Sequence, residues 1–217
     1  MNKCIIIANG KAPGKSLFPF LKKKGFGTII CADGGANSAR QISLKPDYII
    51  GDLDSIHPET LEYYKNQCII KRIKRQDDTD VEKCLKFAIG KGFRECVLLG
   101  VIGDRLDHSL SNLGIALRFT KEIPLRIISD RSYLTIHSKR ISIKTVPGEV
   151  ISIYAFDMKT RIRSIGLKYE LNNIPLPFGQ KESTSNVAVG DEVSFDVKSG
   201  SIFIIREFSI IRKYDLF

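Results

Sequence analysis

The sequence predicts an α/β protein with two parts: an N-terminal three-layer domain built on a parallel sheet (residues 1–130) and a C-terminal antiparallel β-sandwich (residues 131–217). In the first part, short apolar runs alternate with amphipathic segments, as strands and covering helices do in parallel-sheet domains. In the second part, apolar and polar residues alternate within runs separated by turn signals, which is typical of sandwiches and barrels. A third observation is that acidic residues follow several of the N-terminal strands.

Short runs rich in Ile, Val or Tyr predict six N-terminal strands, namely CIIIA, GTIICA, PDYIIG, QCIIKRI, ECVLLG and LRIISD. Five intervening segments are predicted to be helical, namely GKSLFPFLKKKG, GANSARQI, HPETLEYYKNQ, TDVEKCLKFAIGKG and DHSLSNLGIALRF. Pro58 occupies a first-turn position that helices favour. The internal Pro19 instead weakens the prediction of the first helix.

The C-terminal part has a different pattern. Its two main stretches are RSYLTIHSKRISIKTVPGEVISIYAF and GDEVSFDVKSGSIFIIREFSIIRKY, which are rich in β-branched residues and nearly lack helical periodicity. Turns are indicated at SKR, PGE, GDE and KSGS. We therefore predict strands in this part, with the domain boundary between Ser129 and Ser132.

The chain of 217 residues is 43% hydrophobic, and its 34 basic and 24 acidic residues give a net charge of +10. The positive charge is spread along the chain and accompanies no zinc-finger spacing or aromatic RNA-binding motif. It suits an enzyme that attracts small polyanions, so no nucleic-acid partner is expected. No run approaches the roughly 20 apolar residues that a membrane helix requires, so no membrane partner is expected either.

The cysteines and the N-terminus predict a cytoplasmic protein. The five cysteines, Cys4, Cys31, Cys68, Cys84 and Cys96, include no CxxC pair, and Cys4, Cys31 and Cys96 stand in apolar runs. Buried free thiols in a reducing compartment explain this pattern better than a redox or metal role. The N-terminal stretch MNKCIIIANGKAPG has too short an apolar run for a signal peptide.

Acidic residues stand in four loops that follow predicted strands: Asp33; Asp52 and Asp54; Asp77, Asp78 and Asp80; Asp104 and Asp107. Because the carboxyl ends of parallel strands lie at one edge of a sheet, these loops should converge where open α/β folds bind ligands. A single aspartate before a helix is ordinarily an N-cap. Capping does not explain four acidic loops at one edge.

Such an edge fits a Mg²⁺-nucleotide phosphotransfer site, because Mg²⁺ is typically held by one or two carboxylates together with substrate phosphates. Other common motifs are missing, since the sequence has no GxxxxGK[ST] loop, no HRD/DFG pair and no GxGxxG after the first strand. The three histidines have no metal-ligand spacing. His108, which lies within the acidic loops, fits a surface or supporting role better than that of a catalytic base.

Four motifs, taken together and in order, resemble those of the thiamine pyrophosphokinase family: ADGGAN, PDYIIGDLDSI, QDDTDVEK and GVIGDRLDH. The resemblance extends into the C-terminal part through GLKYEL and STSN. It implies a two-domain enzyme that moves a pyrophosphoryl group from ATP to the hydroxyl of thiamine with Mg²⁺, giving thiamine diphosphate and AMP. Residues 1–130 would bind nucleotide and Mg²⁺. Residues 131–217 would bind thiamine and form a homodimer, with the active site between subunits.

The resemblance also implies roles for individual residues of the N-terminal part. Asp52, Asp54 and Asp80 match the positions expected to hold Mg²⁺. The catalytic set is Asp52, Asp80, Arg105 and Asp107, in which Arg105 suits the charge of the transferring group and Asp107 orients either the thiamine hydroxyl or the metal. Nucleotide-binding positions are Asp33, Gly34, Gly35, Asn37, Gln76, Asp77, Thr79, Lys83 and Gly103.

Several alternatives stay open at these positions. Lys83 shares a helix face with Thr79 and Asp80, and it either reaches a phosphate or pairs with an acid. Asp78 occupies a variable position of its motif, so it is expected to matter less than Asp80.

The expected thiamine-binding residues lie in the C-terminal part: Tyr169, Ser183, Ser185 and Asn186. Tyr169 stands where animal members commonly have tryptophan, and its ring either stacks on the thiazolium cation or packs in the core. Ser185 and Asn186 either bond the pyrimidine or shape a turn.

Two other functions compete with this one. A pyrophosphokinase of the same fold could act on another heterocyclic alcohol, such as a pterin, although the C-terminal motifs favour thiamine. A basic nucleic-acid-binding protein is disfavoured because all four acidic motifs are intact. Asp104 replaces a glycine that is usual in the family, which adds a negative charge near the expected phosphates.

Overall fold

The structure is a computed structural model that describes residues 2–11, 14–75, 77–103 and 105–217. The chain divides into two compact units, Met1–Ser129 and Asp130–Phe217. Among the described residues, no helix combines the length and the apolar character needed to cross a membrane.

Six parallel strands form the sheet of the first unit: β1 (Lys3–Ile7), β2 (Phe26–Ala32), β3 (Tyr48–Gly51), β4 (Ile69–Arg72), β5 (Glu95–Leu99) and β6 (Leu125–Ile128). Five helices connect them: α1 (Leu17–Lys23), α2 (Gly35–Gln41), α3 (Pro58–Tyr64), α4 (Asp80–Gly90) and α5 (Leu106–Phe119). All the strands and helices predicted for this part are therefore present.

The strand order within this unit is β6-β5-β1-β2-β3-β4. The strands that follow β1 along the chain extend to one side of it, whereas β5 and β6 lie on its other side. The order in which successive strands are added therefore reverses between β1 and β5. Open α/β folds bind ligands at such topological switch points. The four last residues of β1 and of β5 are all buried, although successive residues face opposite sides, so the centre of the sheet is covered on both faces.

Pro19 does not prevent α1 because it lies in the first turn of the helix. Backbone N–H groups of that turn have no intrahelical acceptor, so a proline there removes no hydrogen bond. The helix is anchored by Leu17, Phe18 and Leu21, which are buried. The prediction of free thiols is also confirmed: all five cysteines are free and four of them are buried.

The second unit is built from two antiparallel sheets. One has the order β11-β9-β13-β7 and the other β10-β12-β8; their strands are β7 (Ser132–His137), β8 (Ile141–Lys144), β9 (Val150–Ala155), β10 (Arg161–Ile165), β11 (Ser183–Val187), β12 (Glu192–Lys198) and β13 (Ile202–Glu207). Inward residues from both sheets, among them Ile153, Ile162, Phe195 and Ile204, form one buried cluster. This arrangement is the predicted β-sandwich.

The expectation that the C-terminal part contains strands alone is wrong at its end. The chain leaves β13 directly into a helix, α6 (Phe208–Lys213), which buries Phe208 and Ile211 at a spacing of three residues. Six residues are too few for helical periodicity to stand out against the apolar run before them.

Candidate active site

Three aspartates converge at the carboxyl edge of the first unit's sheet. Asp33 follows β2, Asp52 follows β3, and Asp80 is the first residue of α4. One carboxylate oxygen of each lies within 4.8 Å of the others. The predicted meeting of Asp52 and Asp80 is therefore present, and Asp33 completes the group. We call these three residues the acid cluster.

Asp33 builds the loop that carries Asp52. Its carboxylate accepts hydrogen bonds from three successive backbone N–H groups, those of Leu53 at 2.7 Å, Asp54 at 3.2 Å and Ser55 at 3.2 Å. Leu53 has a φ of 66°, a conformation that a leucine rarely adopts without such support. Asp33 was expected to bind nucleotide, and its observed contacts are those of a residue that shapes the acidic loop.

The electrostatics of Asp33 reflect its position. Burial raises the pKa of Asp33 to about 6; the hydrogen bond from Leu53 opposes this rise, and the nearby carboxylates of Asp80 and Asp52 add to it. Asp33 therefore titrates much closer to neutrality than an exposed aspartate, whose pKa is near 3.8.

Lys83 forms ion pairs with two members of the acid cluster. Its Nζ is 2.9 Å from Asp80 Oδ1 and 3.5 Å from Asp52 Oδ2, and only 3% of its side chain is exposed. Burial by itself lowers the pKa of Lys83, but the hydrogen bond and charge of Asp80 and the charge of Asp52 outweigh it, so the pKa is raised. Of the two roles left open for Lys83, the structure shows pairing with acids.

One buried oxygen of the cluster stands out. Asp52 Oδ1 is buried and accepts no hydrogen bond from the described residues. Its neighbours in the cluster are other carboxylates, which are acceptors when ionised. A buried acceptor among acceptors requires a shared proton or a cation, and three carboxylates offer the hard oxygen ligands that Mg²⁺ prefers. The residues present therefore fit a divalent cation.

Asp54 and Asn37 lie beside the cluster. Asp54 is exposed, its Oδ1 accepts a hydrogen bond from Ser55 Oγ at 2.9 Å, and it does not belong to the acid cluster found among the described residues. Asn37 Nδ2 donates to the carbonyl of Ser55 at 3.0 Å, and Asn37 Oδ1 accepts from the backbone N–H of His57 at 3.0 Å. The amide of Asn37 thus fixes the far end of the acidic loop.

The residues before α4 organise the start of that helix. Thr79 is its N-cap and forms a reciprocal capping box with Glu82. Asp78 pairs with Arg75 and, at 2.6 Å, with Lys86, so its charge is balanced within the loop. Asp77 is exposed. Gln76, which was expected to bind nucleotide, lies outside the described residues.

The loop after β5 supplies the remaining predicted residues of this edge. Arg105 and Asp107 are both exposed and pair with each other, with Arg105 Nη2 2.5 Å from Asp107 Oδ2. The hydrogen bond from Arg105 lowers the pKa of Asp107 to about 2. Gly103 donates its N–H to Ser109 Oγ at 3.2 Å. Asp104 lies outside the described residues.

Sequence reasoning assigned no role to Arg72, the last residue of β4. Its Nε donates to the backbone carbonyl of Asp52 at 3.0 Å, which ties the acidic loop to the neighbouring strand. Arg72 belongs to the run QCIIKRI, which the sequence predicts to be a strand. Its position at the end of a strand beside an acidic loop was the signal for this contact.

Three of the predicted thiamine-binding residues, Tyr169, Ser183 and Asn186, are joined by hydrogen bonds in the second unit. Tyr169 is 63% exposed, so the alternative that its ring packs in the core is wrong. Asn186 is buried and is occupied by protein contacts: its amide bonds the backbone N–H and carbonyl of Tyr169 at 3.1 and 2.7 Å, and it donates to Ser183 Oγ at 3.1 Å. Asn186 therefore shapes the segment that presents Tyr169. Ser185 is exposed, with a φ of 53°.

Glycines allow this edge to pack closely. A Cβ atom added to Gly35 would lie 2.1 Å from the carbonyl oxygen of Ile7, so the glycine lets α2 begin directly against β1. Gly34 makes a comparable contact with the side chain of Asn9. Both glycines, which were expected to bind nucleotide, thus serve the packing of two adjacent loops.

Comparisons with known proteins agree on one family. Residues 23–129 match the family described as Thiamin pyrophosphokinase, catalytic domain, and residues 135–202 match Thiamin pyrophosphokinase, vitamin B1 binding domain. Thiamine pyrophosphokinase 1 of Oryza sativa subsp. japonica is 30% identical over 205 residues, which cover 81% of this chain and 77% of that protein. Thiamin pyrophosphokinase 1 of Caenorhabditis elegans is 30% identical over 182 residues, covering 78% and 74%.

Solved structures agree in fold. Thiamin pyrophosphokinase from Candida albicans superposes with a TM-score of 0.83 at 19% identity, covering 94% of this chain and 89% of that one. Yeast thiamin pyrophosphokinase gives a TM-score of 0.82 at 20% identity, covering 98% and 89%. The shared fold, the match over both domains and the 30% identity to curated relatives lead to one conclusion: the chain belongs to the thiamine pyrophosphokinase family.

Proposed function

We propose that this thiamine pyrophosphokinase transfers the pyrophosphoryl group of ATP to the hydroxyl of thiamine in a Mg²⁺-dependent reaction, releasing AMP. The observation that carries the proposal is the acid cluster, in which three carboxylates from separate elements meet and Asp52 Oδ1 finds no donor among the described residues. Neither the pterin alternative nor the nucleic-acid alternative is favoured by the family match.

The residues proposed to hold Mg²⁺ are Asp52 and Asp80, joined by Asp33, with Asp54 as the further ligand that the family motif suggests. Mg²⁺ bound there would supply charge neutralisation of the ATP phosphates. Lys83 holds the two principal acids in place, because its buried ammonium lies 2.9 Å from Asp80 Oδ1 and 3.5 Å from Asp52 Oδ2. The hydrogen bonds from the loop to Asp33 orient Asp52 before any substrate binds.

Arg105 and Asp107 are proposed to act on the reacting groups. Their mutual ion pair is exposed, so a phosphate can replace Asp107 as the partner of Arg105 at little cost. Arg105 then stabilises charge on the transferring group, and Asp107 is released to accept a hydrogen bond from the thiamine hydroxyl. Catalysis would rest on the positioning of the reactants and on charge stabilisation, as in other phosphoryl-transfer enzymes. Thr79, Asp77, Gln76 and Gly103 remain proposed nucleotide contacts.

For thiamine, we propose that the exposed ring of Tyr169 stacks on the cationic thiazolium. Asn186 supports this role by holding the backbone of Tyr169 from both sides. Ser183 and Ser185 stay predicted hydrogen-bonding positions for the substrate. A homodimer and a cytoplasmic location likewise stay predictions.

The test is incubation of the protein with ATP, Mg²⁺ and thiamine, followed by chromatography of the products. Equal amounts of AMP and thiamine diphosphate are expected, and omission of Mg²⁺ should stop the reaction. Product with a pterin alcohol but not with thiamine would overturn the substrate assignment. Formation of ADP instead of AMP would overturn pyrophosphoryl transfer.

A further inference from the structure

Asn9 lies just after the carboxyl end of β1, next to the point between β1 and β5 where the strand order reverses. The chain on either side of it is fixed: the N–H of Ala8 donates to the carbonyl of Leu99 at 2.8 Å, and the N–H of Gly10 donates to the carbonyl of Gly100 at 2.8 Å. The backbone of Asn9 is therefore held between two hydrogen bonds to the end of β5.

The side chain of Asn9 lies flat against Gly34. A Cβ atom added to Gly34 would lie 2.4 Å from Asn9 Cγ, 2.5 Å from Nδ2 and 2.5 Å from Oδ1. These nearly equal distances place the face of the amide on the glycine, so the hydrogen-bonding edge of the amide points elsewhere. Any side chain at position 34 would displace it.

The amide of Asn9 is accessible to solvent. Asn9 is exposed, and its side chain makes no hydrogen bond with the described residues. An asparagine at the end of a strand commonly bonds its own backbone or a neighbouring loop. Here the amide is instead held by packing on a glycine, with two N–H donors and one carbonyl acceptor left available.

The neighbourhood of Asn9 defines what it would bind. Gly34 directly follows Asp33, a member of the acid cluster, so the exposed amide of Asn9 lies beside the proposed metal–phosphate site. Phosphate oxygens there need donors, and an amide donates without adding negative charge to three carboxylates. The cationic ring of thiamine would not be stabilised by N–H donors in this way, because the hydrogen of an N–H group is itself partially positive.

We propose that Asn9 is a substrate-binding residue whose Nδ2 donates a hydrogen bond to a phosphate oxygen of ATP, and that the absence of a side chain at Gly34 lets the amide lie in place. The inference rests on the proposed function, because it assigns Asn9 to the nucleotide of that reaction. Asn9 and Gly34 together would form a preorganised donor at the edge of the acid cluster.

The test measures binding without turnover. Isothermal titration calorimetry with α,β-methylene-ATP and Mg²⁺ avoids transfer, because a methylene group replaces the oxygen between the α- and β-phosphorus atoms, where the bond would break. Asn9→Ala should weaken binding by about tenfold, as loss of a hydrogen bond to a charged group does, and Asn9→Asp should weaken it further by repulsion. Thiamine affinity should change less than about twofold. The matched control is Asn66→Ala, an exposed asparagine before β4, at the opposite edge of the sheet.

A double-mutant cycle tests the part played by Gly34. Gly34→Ala should weaken analogue binding in the wild-type background, because its Cβ displaces the amide. It should weaken binding much less in the Asn9→Ala background, where no amide remains to be displaced. Additive effects would overturn the supporting role of Gly34.

The outcomes separate this inference from the proposed function. If Asn9→Ala and Asn9→Asp bind the analogue as the wild type does, the assignment of Asn9 is wrong, even if thiamine diphosphate is formed. If the wild type binds the analogue and Asn9→Ala weakens it, but no thiamine diphosphate is made, only the proposed reaction fails. If the wild type neither binds the analogue nor forms thiamine diphosphate, both the assignment and the proposed reaction are wrong. Unchanged melting temperatures would show that the variants remain folded.

Discussion

At the scale of single residues, the acidic motif between Arg75 and Cys84 divides into two kinds of aspartate. Asp80 contributes to the acid cluster and bonds Lys83, whereas Asp78 is balanced by Arg75 and Lys86. Like charges spaced closely along the chain thus acquire different partners in space. The repulsion that the sequence suggests is relieved by two separate sets of cations.

The different partners of Asp80 and Asp78 predict that their substitution reduces activity to different extents. Asp80→Ala should reduce thiamine diphosphate formation far more than Asp78→Ala, because only Asp80 faces the proposed metal site. Initial rates at saturating substrate and Mg²⁺ measure the difference. Equal losses in the two variants would mean that the motif serves only to start α4.

Asp52 is expected to be indispensable. Asp52→Asn keeps the size of the side chain but removes the charge that pairs with Lys83 and would face Mg²⁺. Turnover should fall to background, while circular dichroism and the melting temperature stay near the wild-type values. Full activity in this variant would remove Asp52 from the proposed metal ligands.

Lys83 gives a prediction that does not depend on turnover. Lys83→Met leaves Asp52 and Asp80 without their cation, so the free energy of unfolding should fall by about 1–3 kcal/mol. This decrease is smaller than the one expected for a fully buried ion pair, because both acids are partly exposed. Added Mg²⁺ should raise the melting temperature of the variant more than that of the wild type, since the ion then replaces the missing charge. Equal Mg²⁺ effects on both proteins would contradict a shared site.

At the scale of elements, helix starts and strand ends place the site. The capping box of Thr79 and Glu82 begins α4 at Asp80, and this is what orients that aspartate toward the ends of β2 and β3. The bond from Arg72, at the end of β4, to the backbone of Asp52 fixes the loop after β3. The site therefore depends on how neighbouring elements end and begin.

Thr79→Ala tests the contribution of the cap. It should lower the unfolding free energy by about 1 kcal/mol in urea titrations, while Thr79→Ser should retain most of the stability. If Thr79 also contacts nucleotide, the alanine variant should raise KM for ATP beyond what the serine variant does. Unchanged stability in Thr79→Ala would contradict the capping role.

Glu95, the first residue of β5, gives a pH-dependent prediction. Burial raises the pKa of Glu95, but hydrogen bonds and charges from Lys3 and Arg126 outweigh it, so the pKa lies below its ordinary value of 4.5. Because the pKa of the carboxylate is lower in the folded state than in the unfolded state, its charge stabilises the folded protein at pH values above the unfolded-state pKa. This stabilisation is lost as the pH falls through the folded-state pKa. Glu95→Gln should therefore be less stable than the wild type at pH 7, with the difference shrinking below about pH 4.5. A difference that is constant with pH would contradict this.

At the scale of the whole molecule, the second unit carries exposed apolar side chains that suit self-association. Phe156 and Phe178 are 41% and 60% exposed and stack with their ring centroids 5.7 Å apart. Exposed clusters of this kind often mark protein interfaces. Light scattering is expected to give twice the chain mass of 24.4 kDa, as a homodimer requires. A single chain mass across the concentration range would contradict the dimer.

The sequence was sufficient for the order of elements and for the edge that carries the acids. Local patterns specify both, because strands with flanking turns and helix starts are encoded within a few residues. The same local patterns failed at α6, which is shorter than a periodicity window and follows an apolar strand without a break. They also left the role of Lys83 open, because its side chain can reach different groups on the same edge.

What the sequence by itself determined is therefore the two-part α/β architecture, the family motifs and the presence of Asp52 and Asp80 in one site. The tertiary structure decided that Asp33 joins them, that Lys83 pairs with both, and that Asn9 rests on Gly34 with its side chain exposed. The physical reason is that these contacts join loops after different strands. Strand register, the hydrogen bonds of the loop to Asp33 and the space left by glycines determine such contacts, and no single segment encodes them.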